Sequence, residues 1–393
     1  MDVTPEQLAE SVASLVRIPS VNPLHTGPRA EAAGPIGERV LAEHLAARLT
    51  ALGADEVVLD EVLDGRANVY GRFAGRSERV VLVDVHLDTV TVEHMTDPPF
   101  DGRIEDGHVW GRGALDTKAT MGVLLTLLDA WRTAGVRPDP TVLVVGTVGE
   151  EAGGFTGAIR LGEWLKERGV EVDQMVVAEP TDLAPVHGHK GGVALAVTVH
   201  GTAAHSARPE LGENAIEAAT PIIDAFRREH ERLQTIPPET ELGTSTVSVT
   251  MISGGTGSNV IPAECRITVG QRTIPGQNAH DEYHHLVELA EAASPLPITH
   301  ESLIPPLPDG TCGADAFYQP PDGALALRFA TASGNAPKVA PFGTNALRYH
   351  GVARELVVFG PGSIDDAHMA TERVAIDDLV RLAEIYTDWL EPT

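Results

Sequence analysis

Residues 80–89 read Val80-Val81-Leu82-Val83-Asp84-Val85-His86-Leu87-Asp88-Thr89. A near-continuous β-branched run marks a strand buried on both faces, which predicts a parallel sheet covered by helices. It ends in a histidine and an aspartate, groups that seldom stand at a buried strand end without a compensating partner. Similar runs at Val142–Val148 and Gln174–Ala178 lead into Glu150-Glu151 and into Glu179-Pro180-Thr181. Helical spacing of apolar residues fills the intervals at Ala119–Trp131 and Gly157–Arg168. This alternation implies an α/β fold with a mainly parallel sheet, whose ligand sites gather beyond the C-terminal ends of the strands.

Toward the N-terminus, Thr4, Pro5 and Gln7 combine an N-cap, an N1 proline and a capping-box partner ahead of Leu8, Val12, Leu15 and Val16. A loop over Pro19–Pro35, a helix over Arg39–Leu52 and short strands at Glu56–Leu59 and Asn68–Phe73 follow. From about Gly188 the pattern changes to strand Val193–His200, helix Asn214–Arg232, strands Thr246–Ile252 and Glu264–Val269, and helix Ala279–Ala292. Residues 188–302 therefore read as an inserted α+β unit, with the Pro-rich stretch Pro295–Pro308 as its return hinge. The main domain would comprise residues 1–187 and 303–393, ending in strand Glu355–Phe359 and helix Ile376–Leu390.

Across 393 residues, 29 Lys and Arg stand against 56 Asp and Glu, and the resulting charge of −27 excludes a nucleic-acid or anionic-membrane surface. Cys265 and Cys312 are too few for a disulfide framework or a thiolate zinc site, so a cytoplasmic protein is the expectation. The N-terminus is acidic where a signal peptide would be basic. No apolar run approaches the roughly 20 residues of a membrane span.

Hard-metal ligands recur at the predicted strand ends: His86 and Asp88, Glu150 and Glu151, Glu179, and His368 after the last strand. Asp116 sits in Gly111-Arg112-Gly113-Ala114-Leu115-Asp116, a glycine-bracketed loop leading into a helix. Singly, each has a bland reading, because most of the 16 histidines must be surface or core residues and paired glutamates are usually solvated. Jointly they are not bland, since buried strand ends hold several carboxylates only where a metal compensates them.

The motifs resemble those of the dinuclear zinc M20 amidohydrolases, the group of acetylornithine deacetylase, succinyl-diaminopimelate desuccinylase, aminoacylase and glutamate carboxypeptidase. They are Val85-His86-Leu87-Asp88-Thr89-Val90, Gly111-Arg112-Gly113 with Asp116, Glu150-Glu151, Ala178-Glu179-Pro180-Thr181, Gly201-Thr202-Ala203-Ala204-His205-Ser206, Asn259-Val260-Ile261-Pro262, and Gly360-Pro361-Gly362 with His368. The resemblance implies a metallohydrolase catalytic domain with an inserted lid and dimerisation domain. It implies two divalent metals, zinc first and cobalt or manganese as alternatives, bridged by Asp116. His86 and Glu179 would complete one shell, Glu151 and His368 the other. Asp88 would accept the second ring N–H of His86 through its carboxylate, and Glu150 would be the general base.

His205 would reach the partner subunit's site in a homodimer and bind the oxyanion. Asn259, Arg272, Gly343 and Gly362 would line the substrate. Two departures from the family pattern stand out: Gly270 replaces the usual aspartate two residues before Arg272, and Asn345 stands where many relatives carry an acid. The latter argues against a cationic substrate. Expected partners are thus a small N-acyl amino acid or short peptide and a second copy of the chain. The leading expectation is an acetylornithine deacetylase-like deacylase. Alternatives are a dipeptidase, carboxypeptidase or succinyl-diaminopimelate desuccinylase of the same family, and a catalytically silent binding protein on this fold. Lys118 and Lys190 read as ordinary surface residues.

Overall fold

The computed structural model describes residues 3–307 and 309–392. Its contacts divide the chain into two compact units. The first holds the chain up to His187, Gln319–Lys338 and everything from Thr344 onward; the second holds Gly188–Tyr318 and Val339–Gly343.

In the first unit the strands lie in the order Glu56–Leu63, Arg66–Phe73, Thr141–Thr147, Val80–His86, Val172–Val177, Ala353–Val358. The last four run parallel, so their C-terminal ends share one edge of the sheet. The first two are antiparallel additions at one flank of the mainly parallel sheet. Strand Val80–His86 is buried along nearly its whole length, as its β-branched run requires. Alternation sends Val81, Val83 and Val85 into the main core with Val142 and Val144. That core also receives the helices Pro5–Val16, Arg39–Ala51, Lys118–Ala134 and Ile376–Leu390. The opposite face receives helix Thr156–Glu167, where Asn68 Nδ2 donates to the Gly157 carbonyl and the Tyr70 ring lies 4.5 Å from Trp164. Helices on both faces follow from strands that are apolar on both faces.

The first helix starts as its residues dictate. Thr4 Oγ1 accepts the Gln7 N–H and Gln7 Oε1 accepts the Thr4 N–H. Helix Arg39–Ala51 has no such cap, because the side chain at its N-cap, Glu38, is fully buried and turned toward Arg66.

The second unit is a four-stranded antiparallel sheet in the order Thr246–Gly254, Glu264–Arg272, Val193–His200, Ile298–Ser302. Helices Ala215–Gln234 and Ala279–Ala293 pack on it around Val197, Phe226, Ile267 and Leu286. Cys265 is buried in this core. The Pro-rich stretch is not the hinge that its composition suggests. Pro295 and Pro297 immediately precede an edge strand, Ile298–Ser302, whose residues pair with Val193–His200, and the unit continues to Tyr318 rather than ending at 302.

Candidate metal centre

His86 closes its strand, and its Nδ1 lies 2.9 Å from the Asp88 backbone carbonyl. A carbonyl only accepts, so Nδ1 carries the hydrogen and Nε2 presents a lone pair. That lone pair faces Asp116 Oδ1 at 3.0 Å. Two acceptors at this distance need a cation between them, a proton or a metal ion. The Asp88 carboxylate does not serve His86 as expected, since its nearer oxygen stands 3.9 Å from Nδ1. Instead it accepts the backbone N–H groups of Gly149, Glu150 and Glu151 at 3.0–3.1 Å and the Asn22 amide at 2.7 Å. The main chain of residue 88 thus orients the imidazole, while its side chain holds the loop that bears both glutamates.

Asp116 comes from the glycine loop, ahead of a cis peptide to Thr117. Glu372 Oε1 accepts the N–H groups of Gly113, Leu115 and Asp116 at 2.9, 3.1 and 3.2 Å. On its far side, Asp116 Oδ2 is 3.2 Å from His368 Nε2, and that nitrogen is 3.0 Å from Glu151 Oε2. His368 adopts φ 64°, a left-handed backbone that a side chain accepts only when its surroundings fix it.

Among the described residues, two sets of three therefore offer one ligand atom per residue within 4.8 Å of one another: His86, Asp116 and Glu179, and Asp116, Glu151 and His368. Asp116 belongs to both. Glu150, in neither set, lies next to Glu151 and interacts electrostatically with His86 and Asp116. Burial, with repulsion among the carboxylates, pushes Glu150 and Glu179 well up and Glu151 up to about 7. Hydrogen bonds that the imidazole donates to the Asp116 and Glu151 carboxylates push His368 up to about 10. Glu151 Oε1 is buried without a hydrogen-bond partner. An unsatisfied buried oxygen, lone pairs facing one another and carboxylates that resist ionisation are what a divalent pair would relieve, so the donor set fits that group.

Below the centre, Asp84 accepts from Thr147 Oγ1, Asn345 Nδ2 and Tyr349 Oη at 2.7, 3.0 and 2.6 Å. Asn345 is thus a buried member of a sheet-face network, its amide engaged by Asp84 and Thr147. Lys118 is also buried, its ammonium donating to the Ile18 carbonyl at 2.8 Å, which corrects the surface reading. Gly362 has φ +65°, and a Cβ there would stand 2.4 Å from Leu115 Cδ1. Its carbonyl accepts the Asp182 N–H at 2.7 Å, so its observed contacts are structural.

His205, Asn259, Arg272 and Gly343 belong to the second unit. His205 and Asn259 are neighbours there: Ala204–His205 pairs with Val260–Ile261, and the Ser206 N–H donates to the Asn259 carbonyl at 2.9 Å. The His205 ring is exposed, and its Nδ1 accepts the Ala207 N–H at 3.0 Å, which leaves Nε2 as the proton-bearing nitrogen. Arg272 is exposed at the end of its strand, and Gly343 is half-buried.

Sequence reasoning overlooked Asn22, Glu38 and Arg66. Arg66 forks onto Glu38, whose Oε1 also accepts the Gly149 N–H at 3.2 Å. Their partners are remote in sequence, so no local pattern signals them.

Residues 187–296 match the peptidase dimerisation domain, and residues 68–180 match peptidase family M28. The chain is 36% identical over 282 residues to the acetylornithine deacetylase of Myxococcus xanthus, covering 70% of each protein. It is 27% identical over 383 residues to a probable carboxypeptidase of Aspergillus oryzae, covering 93% of this chain and 85% of that one. Its fold matches an M20 family metallo-carboxypeptidase from Sulfolobus solfataricus with a TM-score of 0.74 at 17% identity, over 100% of this chain and 99% of the other. Together with the shared-aspartate ligand sets, these likenesses identify the chain as a member of the M20 family of metal-dependent amidohydrolases and peptidases.

Proposed function

We propose that the protein hydrolyses the amide bond of an N-acyl amino acid, with acetylornithine-type substrates first. The observation that carries this reading is the pair of ligand sets sharing Asp116 with a free glutamate, Glu150, beside them. His86, Asp116 and Glu179 would hold one divalent ion, and Asp116, Glu151 and His368 the other. Imidazole and carboxylate without thiolate suit zinc, and cobalt or manganese fit the same donors. When bound, such a pair polarises a carbonyl and lowers the pKa of a water toward about 7.

Glu150 is outside both ligand sets, so its oxygens are available to take the water's proton and deliver it to the leaving amine nitrogen. Asp88 keeps Glu150 in place through the backbone it binds. His205, donating from Nε2, would stabilise the negative oxygen of the tetrahedral species from the partner subunit of a homodimer. Asn259 and Arg272 would hold the rest of the substrate, the guanidinium forking onto its carboxylate.

A second reading, carboxypeptidase or dipeptidase action through the same residues, is favoured by the Aspergillus relative, which aligns over more of this chain than the deacetylase does. N-acetyl, N-succinyl and dipeptide substrates, assayed with zinc and with cobalt and ranked by kcat/KM, separate the two. Acyl amino acids ranking first supports deacylation, and peptides ranking first supports the second reading. Fewer than about one tightly bound metal per chain after reconstitution would instead favour a silent binding protein.

A further inference from the structure

Asp116 and His368 both stand on irregular backbone. One sits in a glycine loop, the other at positive φ, and neither belongs to a strand. His86 and Glu179 differ, since His86 ends a strand and Glu179 follows one by two residues. Something other than a sheet ladder must hold Asp116 and His368 at hydrogen-bond distance.

The Arg112 and Glu372 side chains, 1% and 0% exposed, do this. They pair through Arg112 Nη1 and Glu372 Oε2. The other Glu372 oxygen takes the three N–H groups of the Asp116 loop. Arg112 Nη2 donates to the His368 carbonyl oxygen at 3.4 Å, an oxygen that also lies 2.8 Å from His94 Nε2, which in turn is 3.2 Å from Arg112 Nη2, while Arg112 Nε donates to the Thr91 carbonyl at 3.1 Å. A buried ion pair gives little stability over a well-packed apolar pair. What apolar side chains cannot do is bind the backbone of two ligand-bearing segments at once.

We infer that the Arg112–Glu372 pair is a positioning device that holds the set Asp116, Glu151 and His368 in register and so governs how tightly that set binds its ion. The inference rests on the metal-site reading above. Two of the three members of this set hang on the pair, against one of the three in His86, Asp116 and Glu179. Disturbing the pair therefore weakens one metal equivalent far more than the other.

The test is titration of the full-length apoprotein with Co²⁺, followed by visible absorbance and by chelator competition. Wild type is expected to bind two equivalents. Glu372→Gln keeps one acceptor but turns an amide donor toward Arg112, and Arg112→Lys keeps the charge but loses the fork. Each is expected to retain one tight equivalent and to bind the second about 10–100-fold more weakly. Glu229→Gln, which breaks the buried-acid pair with Arg232 in the second unit, controls for general destabilisation: its Tm falls while both equivalents bind as in wild type. Wild-type affinity at both equivalents in Glu372→Gln and Arg112→Lys, or an equal loss from both, overturns the inference. Should Glu372→Gln fail to fold, Arg112→Lys decides alone by the same criteria. A wild type that binds no cobalt would refute the metal-site reading itself.

Discussion

Glu150 and Glu151 are adjacent in sequence and anchored by the same Asp88 carboxylate, yet only Glu151 faces His368 within hydrogen-bond distance. On the proposed reading, that divergence gives coordination to Glu151 and leaves Glu150 for proton transfer. Glu150→Gln is accordingly expected to retain both metals by elemental analysis while kcat falls by about 10²–10⁴. Undiminished turnover in that variant removes Glu150 from the proton path. Asn345 supports a second prediction. Its amide donates to a buried Asp84 whose carboxyl burial already pushes up. Asn345→Asp would replace a donor by a second carboxyl, at a cost of about 3 kcal/mol or more near neutral pH. Like charges raise folded-state carboxyl pKa values, and a raised folded pKa means stability lost as pH rises above the unfolded carboxylate value. The deficit, read from urea unfolding, should therefore shrink as pH falls toward 4. A gain in activity on cationic substrates without destabilisation would show instead that position 345 faces the substrate.

At the scale of elements, the site depends on loops whose backbone is fixed by contacts from distant segments. Gly362 is such a point: it combines φ +65° with Leu115 packed where a Cβ would go. Gly351 has a similar φ of +72° with nothing within 4 Å. Alanine at 351 should cost only the backbone strain, about 1 kcal/mol. Alanine at 362 should cost more, because Leu115, next to Asp116, must also move. Equal Tm losses in the two apoproteins would show that the Leu115 contact yields freely. The same distinction between local and distant contacts explains what the sequence discloses. The Val80–Val85 run, the capping box at Thr4 and the acids beyond the strand ends are legible because their meaning lies in residues a few positions apart. The edge strand Ile298–Ser302 is not, since prolines at 295 and 297 read as a break until its partner strand is known. Nor are the Glu38–Arg66 brace and the Asn22 contact to Asp88, whose members are separated by 28 and 66 residues. Asp88 shows how a motif can locate a residue and still mislead about which of its atoms acts on which neighbour.

For the whole molecule, the ligand sets and Glu150, the proposed base, lie in the first unit, whereas His205, Asn259 and Arg272 lie in the second, within the segment that matches a peptidase dimerisation domain. If the second unit of one chain serves the first unit of another, two inactive variants can rescue each other. A Glu150→Gln chain lacks the base but carries His205, and a His205→Ala chain has the reverse. Random reassociation of equal amounts makes half of the dimers mixed, each with one complete site and one lacking both groups. Recovered activity should then approach about a quarter of the wild-type value per chain. If His205 instead serves its own chain, every site in the mixture lacks one group and activity stays at the level of the single variants. Measuring kcat after co-unfolding and refolding, with size-exclusion chromatography to establish that dimers have re-formed, distinguishes these outcomes. No recovery in verified mixed dimers would return His205 to an exposed turn residue of the second unit.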